Sequence, residues 1–103
     1  MALTMKAMAS SPDYLTFVLD LLRNLPGIHY RKMMGEYLLY QDEVLFGGIY
    51  DNRFLVKKTD ALAIYRLKEA IPYPGAKAMF VIETENPDEV RGLVETLVGS
   101  LRK

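Results

Sequence analysis

Gln41-Asp42-Glu43-Val44-Leu45-Phe46-Gly47-Gly48-Ile49-Tyr50-Asp51-Asn52-Arg53-Phe54-Leu55-Val56-Lys57-Lys58 decides the fold. Two runs rich in apolar and aromatic residues, Val44–Tyr50 and Phe54–Lys58, are separated by Asp51-Asn52 and preceded by the polar Gln41-Asp42-Glu43. Short polar gaps between β-rich runs are the mark of consecutive hairpins. The run Tyr30–Tyr40 supplies one more strand upstream. A three-stranded antiparallel meander over residues 30–58 is therefore predicted. Gly47-Gly48 interrupts its second strand, which points to a bulge or a close backbone approach. A phosphate cradle would need further glycines and a following helix, and here another strand follows.

Upstream of the meander, Ser11-Pro12-Asp13 opens a helix: serine suits the cap, proline the first helical position, and aspartate the positive end of the dipole. Leu15, Val18, Leu19 and Leu22 recur at helical spacing, with Phe17 and Leu21 widening the stripe, and Pro26-Gly27 stops the helix near Asn24. Downstream, Thr59 and Asp60 start a second helix whose stripe is Ala63, Ile64, Leu67, Ala70 and Ile71. Pro72-Tyr73-Pro74-Gly75 ends it, with proline and glycine suited to the centre of a type II turn. Ala78–Ile82 is apolar on both faces, as an interior strand is. Asn86, Pro87 and Glu89 form a capping signature for a last helix with Val90, Leu93, Val94, Leu97, Val98 and Leu101 on one face. The order is α-β-β-β-α-β-α, with a short fifth strand left open within 72–78. The expected class is α+β, a two-layer α/β sandwich with a mainly antiparallel sheet. One domain covers 10–103, and residues 1–9 are a flexible extension in which Met1 and Met8 both serve as candidate starts.

Composition removes several chemistries. There is no cysteine, which excludes disulfides, thiolate catalysis and cysteine-rich zinc sites. Thirteen basic residues balance thirteen acidic ones, so direct nucleic-acid binding is not the first expectation. No run approaches the roughly 20 apolar residues of a membrane span, and no signal peptide is legible, so a cytoplasmic protein without membrane contact is expected.

The catalytic inventory is poor. Ser10, Ser11 and Ser100 lie towards the ends, and no nucleophile neighbours the only histidine, His29, which reads as a loop residue before the first strand. Glu83, Glu85, Asp88 and Glu89 are accounted for as complements to the last helix's N-terminus rather than as a cation site. No catalytic residue, metal or cofactor is expected. In the meander, Arg31, Lys32 and Arg53 fall at one end and Lys57 and Lys58 at the other, beside Asp42-Glu43, which partly neutralises them. The expected binding surface is this modest basic corner, Arg31, Lys32 and Arg53, with Tyr37. The tyrosines Tyr30, Tyr37, Tyr40 and Tyr50 all fall in the meander, as an interface or as core residues with hydroxyls at the rim.

Arg31-Lys32-Met33-Met34-Gly35-Glu36-Tyr37, Tyr40-Gln41-Asp42 and the strand pair Val44–Lys57 together resemble the N-terminal domain of the TfoX/Sxy family. Pro72-Tyr73-Pro74-Gly75-Ala76-Lys77 is similar to the loop of its stand-alone members. The resemblance spans about Tyr14 to Leu101. Met34 stands where an aromatic is usual, and Ala78 where proline often follows. What the resemblance implies is a fold like that of secretion chaperones, which commonly form homodimers, and an association with the regulation of natural competence alongside a cyclic-AMP-responsive transcription factor. Full-length members carry a second, C-terminal domain, which this chain is expected to lack. The leading expectation is a non-enzymatic regulatory domain that contacts a protein partner. The alternatives are a module for small phosphorylated ligands or nucleotides using Arg31, Lys32 and Tyr37, and a direct DNA-binding regulator.

Overall fold

Both long helices form where their caps place them, in a computed structural model that describes residues 10–102. The extension over residues 1–9, with both candidate starts, lies outside the described residues. Helix α1 spans Pro12–Leu21, and the Ser11 hydroxyl accepts the Tyr14 N–H at 3.1 Å. Leu15, Val18 and Leu21 are buried on its inner face. The last helix, α2, spans Pro87–Leu101 and buries Val90, Leu93, Val94, Leu97 and Val98. Its cap is built differently from the expected box. Asn86 Oδ1 accepts the Asp88 N–H at 2.9 Å, whereas the Asn86 N–H goes to Thr84 Oγ1 at 3.2 Å. Glu89 accepts the Thr84 hydroxyl, so threonine relays the contact that glutamate makes alone in a capping box.

The meander has four strands: β1 (Ile28–Met33), β2 (Glu36–Gln41), β3 (Val44–Ile49) and β4 (Phe54–Val56). The stretch expected as one strand, Tyr30–Tyr40, is itself a hairpin. It folds at Met34-Gly35, where φ is +52° and +87° and Met33 pairs with Glu36. Two consecutive positive φ values in a two-residue loop make a type I′ turn. Asp51-Asn52, with φ of +53° and +55°, forms a second one, closed by reciprocal 3.0 Å bonds between Tyr50 and Arg53.

The glycine pair does mark a bulge. The register of β2 against β3 slips between Leu39 and Tyr40, so that Leu39 faces Gly47 while Tyr40 faces Leu45. This sends Phe46 into the core, where it is fully buried. A Cβ on Gly47 would lie 2.4 Å from the Leu55 carbonyl oxygen and 3.0 Å from Val56 Cα, so no larger residue fits while β4 stays paired.

The second helix is shorter and tighter than its sequence pattern predicts. Asp60–Tyr65 is a 3₁₀ helix ended by Arg66 in the left-handed region, at φ +52°. Its buried residue is Leu62, and Ile64, expected on the inner stripe, is 81% exposed. The chain then adds a two-residue edge strand, β5 (Glu69–Ala70), slightly upstream of residues 72–78, where the sequence allows a short fifth strand. Tyr73-Pro74-Gly75-Ala76 is the expected tight turn: the Ala76 N–H reaches the Tyr73 carbonyl at 3.1 Å and Gly75 has φ +88°. Strand β6 (Met79–Val81) enters between β4 and β5 and is interior, as its apolar faces require.

The result is an α+β fold with a six-stranded sheet ordered β1-β2-β3-β4-β6-β5, every neighbouring pair antiparallel. The two helices and Leu62 share one core with Tyr37, Leu39, Phe46, Ile49, Phe54, Val56, Phe80 and Ile82 of the sheet. By strand alternation Gly48, Leu55, Lys57 and Met79 face the other way. No helix among the described residues is long and apolar enough to cross a membrane.

Candidate functional site

Strand β1 closes one side of the sheet and pairs only with β2 among the described residues. Five of its six residues are exposed; only Ile28 is half-buried. The closing pair of a two-residue hairpin exchanges both of its hydrogen bonds, and the pattern alternates from there. With Met33 opposite Glu36, the residues Met33, Arg31 and His29 bond inward to β2. Ile28, Tyr30 and Lys32 are left with N–H and C=O groups directed away from the sheet. Arg31 and Lys32 are both exposed and have no carboxylate partner among the described residues.

The four residues expected to make one site do not meet. Arg31 shares a face with Leu38, and Lys32 shares the opposite face with Tyr37. Tyr37 is only 4% exposed; it belongs to the core, with the Tyr30 ring set edge-on against it at 5.8 Å. Arg53 is at the same end of the sheet but on β4's approach, three strand steps from β1, or about 14 Å at about 4.8 Å per step. Its side chain is also occupied: Nε donates to the Tyr50 carbonyl at 3.0 Å, and Nη2 to the Ile71 and Pro72 carbonyls at 3.2 Å each. Arg53 is a clamp on the loop before Tyr73. Of the expected corner, Arg31 and Lys32 remain available at the surface.

His29 is a strand residue rather than a loop residue. Its ring stacks on Tyr40 at 5.1 Å, and Nε2 lies 2.7 Å from the Asp42 carbonyl oxygen, which fixes an N–H on that nitrogen. Asp42 and Glu43 do not neutralise Lys57 and Lys58. They pair with Arg102 at 3.2 and 3.1 Å, and Lys58 pairs with Glu69 at 3.1 Å. Among the described residues no group of three His, Cys, Asp or Glu side chains is placed to hold a metal ion.

Beside Arg31 and Lys32 stand Tyr30, one of the tyrosines weighed for an interface, at 45% exposure, and two residues that the sequence did not single out for a site, Met33 at 52% and Met34 at 96%. Methionine is flexible and polarizable, and suits a contact surface that must adapt. The signal was present in Met33-Met34-Gly35: two large apolar residues just before a glycine cannot both be buried once that glycine is read as a turn. The tyrosines divide. Tyr37 is core, Tyr30 is on the exposed edge, and Tyr40 and Tyr50 are half-buried.

No family model matches the chain. It is 40% identical over 78 residues to a protein of Spirochaeta aurantia described as an uncharacterized 12.7 kDa protein in the trpE 5′ region; the match covers 74% of this chain and 68% of that one. The chain belongs to the family of that spirochaete protein.

Proposed function

We propose that the chain is a non-enzymatic interaction domain of the TfoX N-terminal type, which pairs an extended, acidic segment of a protein partner along β1. The regulatory setting is proposed from the resemblance of residues 31–57 to that family. The observation that carries the binding mode is the edge itself: a six-residue strand whose outward backbone groups at Ile28, Tyr30 and Lys32 have no partner among the described residues. An exposed edge of this length is a template for strand addition. Arg31 and Lys32 select the occupant. Two copies of β1 paired with each other would bring four cations together, whereas a strand carrying carboxylates neutralises them. Tyr30, Met33 and Met34 add apolar contact on either side.

The test uses extended peptides that alternate glutamate with aliphatic residues, titrated onto the chain and followed by amide chemical shifts. The Ile28, Tyr30 and Lys32 amides are expected to move. Lys32→Pro removes an outward N–H without touching the β1–β2 ladder, so the fold should persist and the shifts should vanish. Peptides that leave β1 unmoved, or that bind Lys32→Pro equally well, would refute strand addition. A concentration-dependent doubling of mass that Lys32→Pro abolishes would give the edge to a second copy of the chain instead.

A further inference from the structure

One groove, of about 570 Å³, lies between the 3₁₀ helix and the start of α2. Its Arg66 and Lys68 are matched by its own Glu83, Asp88 and Glu89, and Lys68 pairs with Glu83 at 3.8 Å. Its carboxylates outnumber its cations, so it offers an anion no excess of positive charge. A second groove, of about 370 Å³, beside β4 and β6, is built differently. Tyr50, Tyr73, Lys57, Lys58, Lys77 and Met79 line it, with no carboxylate among the lining residues. Lys58 is paired with Glu69, but neither Lys57 nor Lys77 has an acidic partner among the described residues. In a chain with equal numbers of acidic and basic residues, the two lysines left without a carboxylate around one groove, Lys57 and Lys77, are a local excess.

The aromatic part of the groove is held in place. Gly48 lets the Tyr50 ring lie against the sheet; a Cβ there would come within 2.8 Å of Tyr50 Cε2. Tyr73 stands beside it, ring centroids 6.3 Å apart and planes tilted by 49°. Tyr73 opens the tight turn to Ala76, and the loop before it is tied down by the two bonds from Arg53. Tyr73 nevertheless keeps 58% of its surface exposed, so a ring face is free to stack. A groove of a few hundred Å³ with an aromatic wall and a few charged groups falls within the size range of small-ligand sites, although this one is open to solvent on one side.

We propose that this groove binds a small anion of the nucleoside monophosphate class, its base stacked on Tyr73 and its phosphate neutralised by Lys57 and Lys77. Lysine acts here as a mobile point charge towards phosphate, and tyrosine supplies a π face that any base can use. The groove is distinct from the β1 edge, and the two can be occupied independently.

The experiment titrates adenosine 5′-monophosphate, adenosine and inorganic phosphate in parallel onto the full chain, reading amide chemical shifts. Adenosine 5′-monophosphate is expected to move Lys57, Lys58, Ala76 and Lys77, and to bind at least about tenfold more tightly than either fragment. Tyr73→Ala and the double change Lys57→Gln with Lys77→Gln should each weaken it about tenfold or more. Tyr73→Ala should leave the melting temperature unchanged, because the side chain is largely exposed. Phosphate binding as tightly as the nucleotide would reduce the groove to a charge patch and overturn the proposal. So would a nucleotide that leaves these amides unmoved at millimolar concentration.

Discussion

The Ser10 hydroxyl donates to Glu36 Oε1 at 2.9 Å, joining the residue just before the α1 cap to the first residue of β2. The same hydroxyl accepts the Asn52 N–H at 3.1 Å, the same carboxylate oxygen accepts the Asp51 N–H at 3.2 Å, and the Ser10 N–H reaches the Gly35 carbonyl at 3.0 Å. Both type I′ turns are thereby fastened to the start of the first helix. Ser10 is buried, so water cannot easily replace the lost partner. Ser10→Ala is expected to cost about 1–2 kcal/mol in urea unfolding. A change within experimental error would mean that the clasp adds nothing over solvent.

Gly47→Ala should be far more damaging. The new methyl group would meet backbone, the Leu55 oxygen at 2.4 Å, and not a flexible side-chain end. Separating β3 from β4 disturbs the centre of the sheet, so a loss of about 3 kcal/mol or failure to fold is expected. Gly99→Ala, at a site with open space around it, is the matching control and should be neutral or mildly stabilising.

Met34 occupies a left-handed position that disfavours a methionine, and it is 96% exposed. Asparagine followed by glycine is the preferred pair for this turn. Met34→Asn should stabilise the chain by about 0.5–1 kcal/mol, measured by thermal or urea unfolding. If Met34 also contacts the partner of β1, the same change weakens binding while it raises stability, and the two measurements together separate the roles.

Burial pushes the Tyr50 phenol above its ordinary value of 10.0, and the neighbouring Tyr73 and Glu36 add to the shift. Tyr14 is raised too, chiefly by burial, against a hydrogen bond with the Phe54 backbone, which lowers it. A phenol that holds its proton more tightly when folded contributes stability that is fully present below pH 10.0 and is lost as pH climbs through the higher folded value. Alkaline unfolding curves should therefore steepen above pH 10.0. Tyr50→Phe should flatten that decline, while stability at neutral pH should not acquire a new pH dependence.

Arg53 holds the Ile71 and Pro72 carbonyls, so Arg53→Met should free the loop that carries Tyr73. The expected readout is faster amide exchange at Gly75–Lys77 and a stability loss of about 1–2 kcal/mol. Exchange that is unchanged there would show that the turn Tyr73–Ala76 holds itself.

What could be read from sequence alone was governed by how local the cause was. The caps at Ser11 and Asn86, the turn at Pro74-Gly75 and the bulge signalled by Gly47-Gly48 each depend on a few adjacent residues. The hairpin inside Tyr30–Tyr40 was missed because Met34 carries no turn signal, though Gly35 does. Residues 59–71 keep a helical spacing of apolar residues, yet Arg66 turns left-handed and the chain leaves as β5, an outcome set by pairing with β6 rather than by local preference. Arg31, Lys32 and Arg53 lie at one end of the sheet, but distance across strands and the burial of Tyr37 follow from register, which no short window contains.

The two margins of the sheet are unequal: six residues long at β1 and two at β5. A ribbon that can be extended from one side only cannot propagate. Once β1 is occupied, whether by a foreign strand or by a twin, the complex has no second long edge among the described residues on which to add another. If β1 binds as proposed, assembly through the sheet is expected to stop at closed pairs instead of growing into filaments.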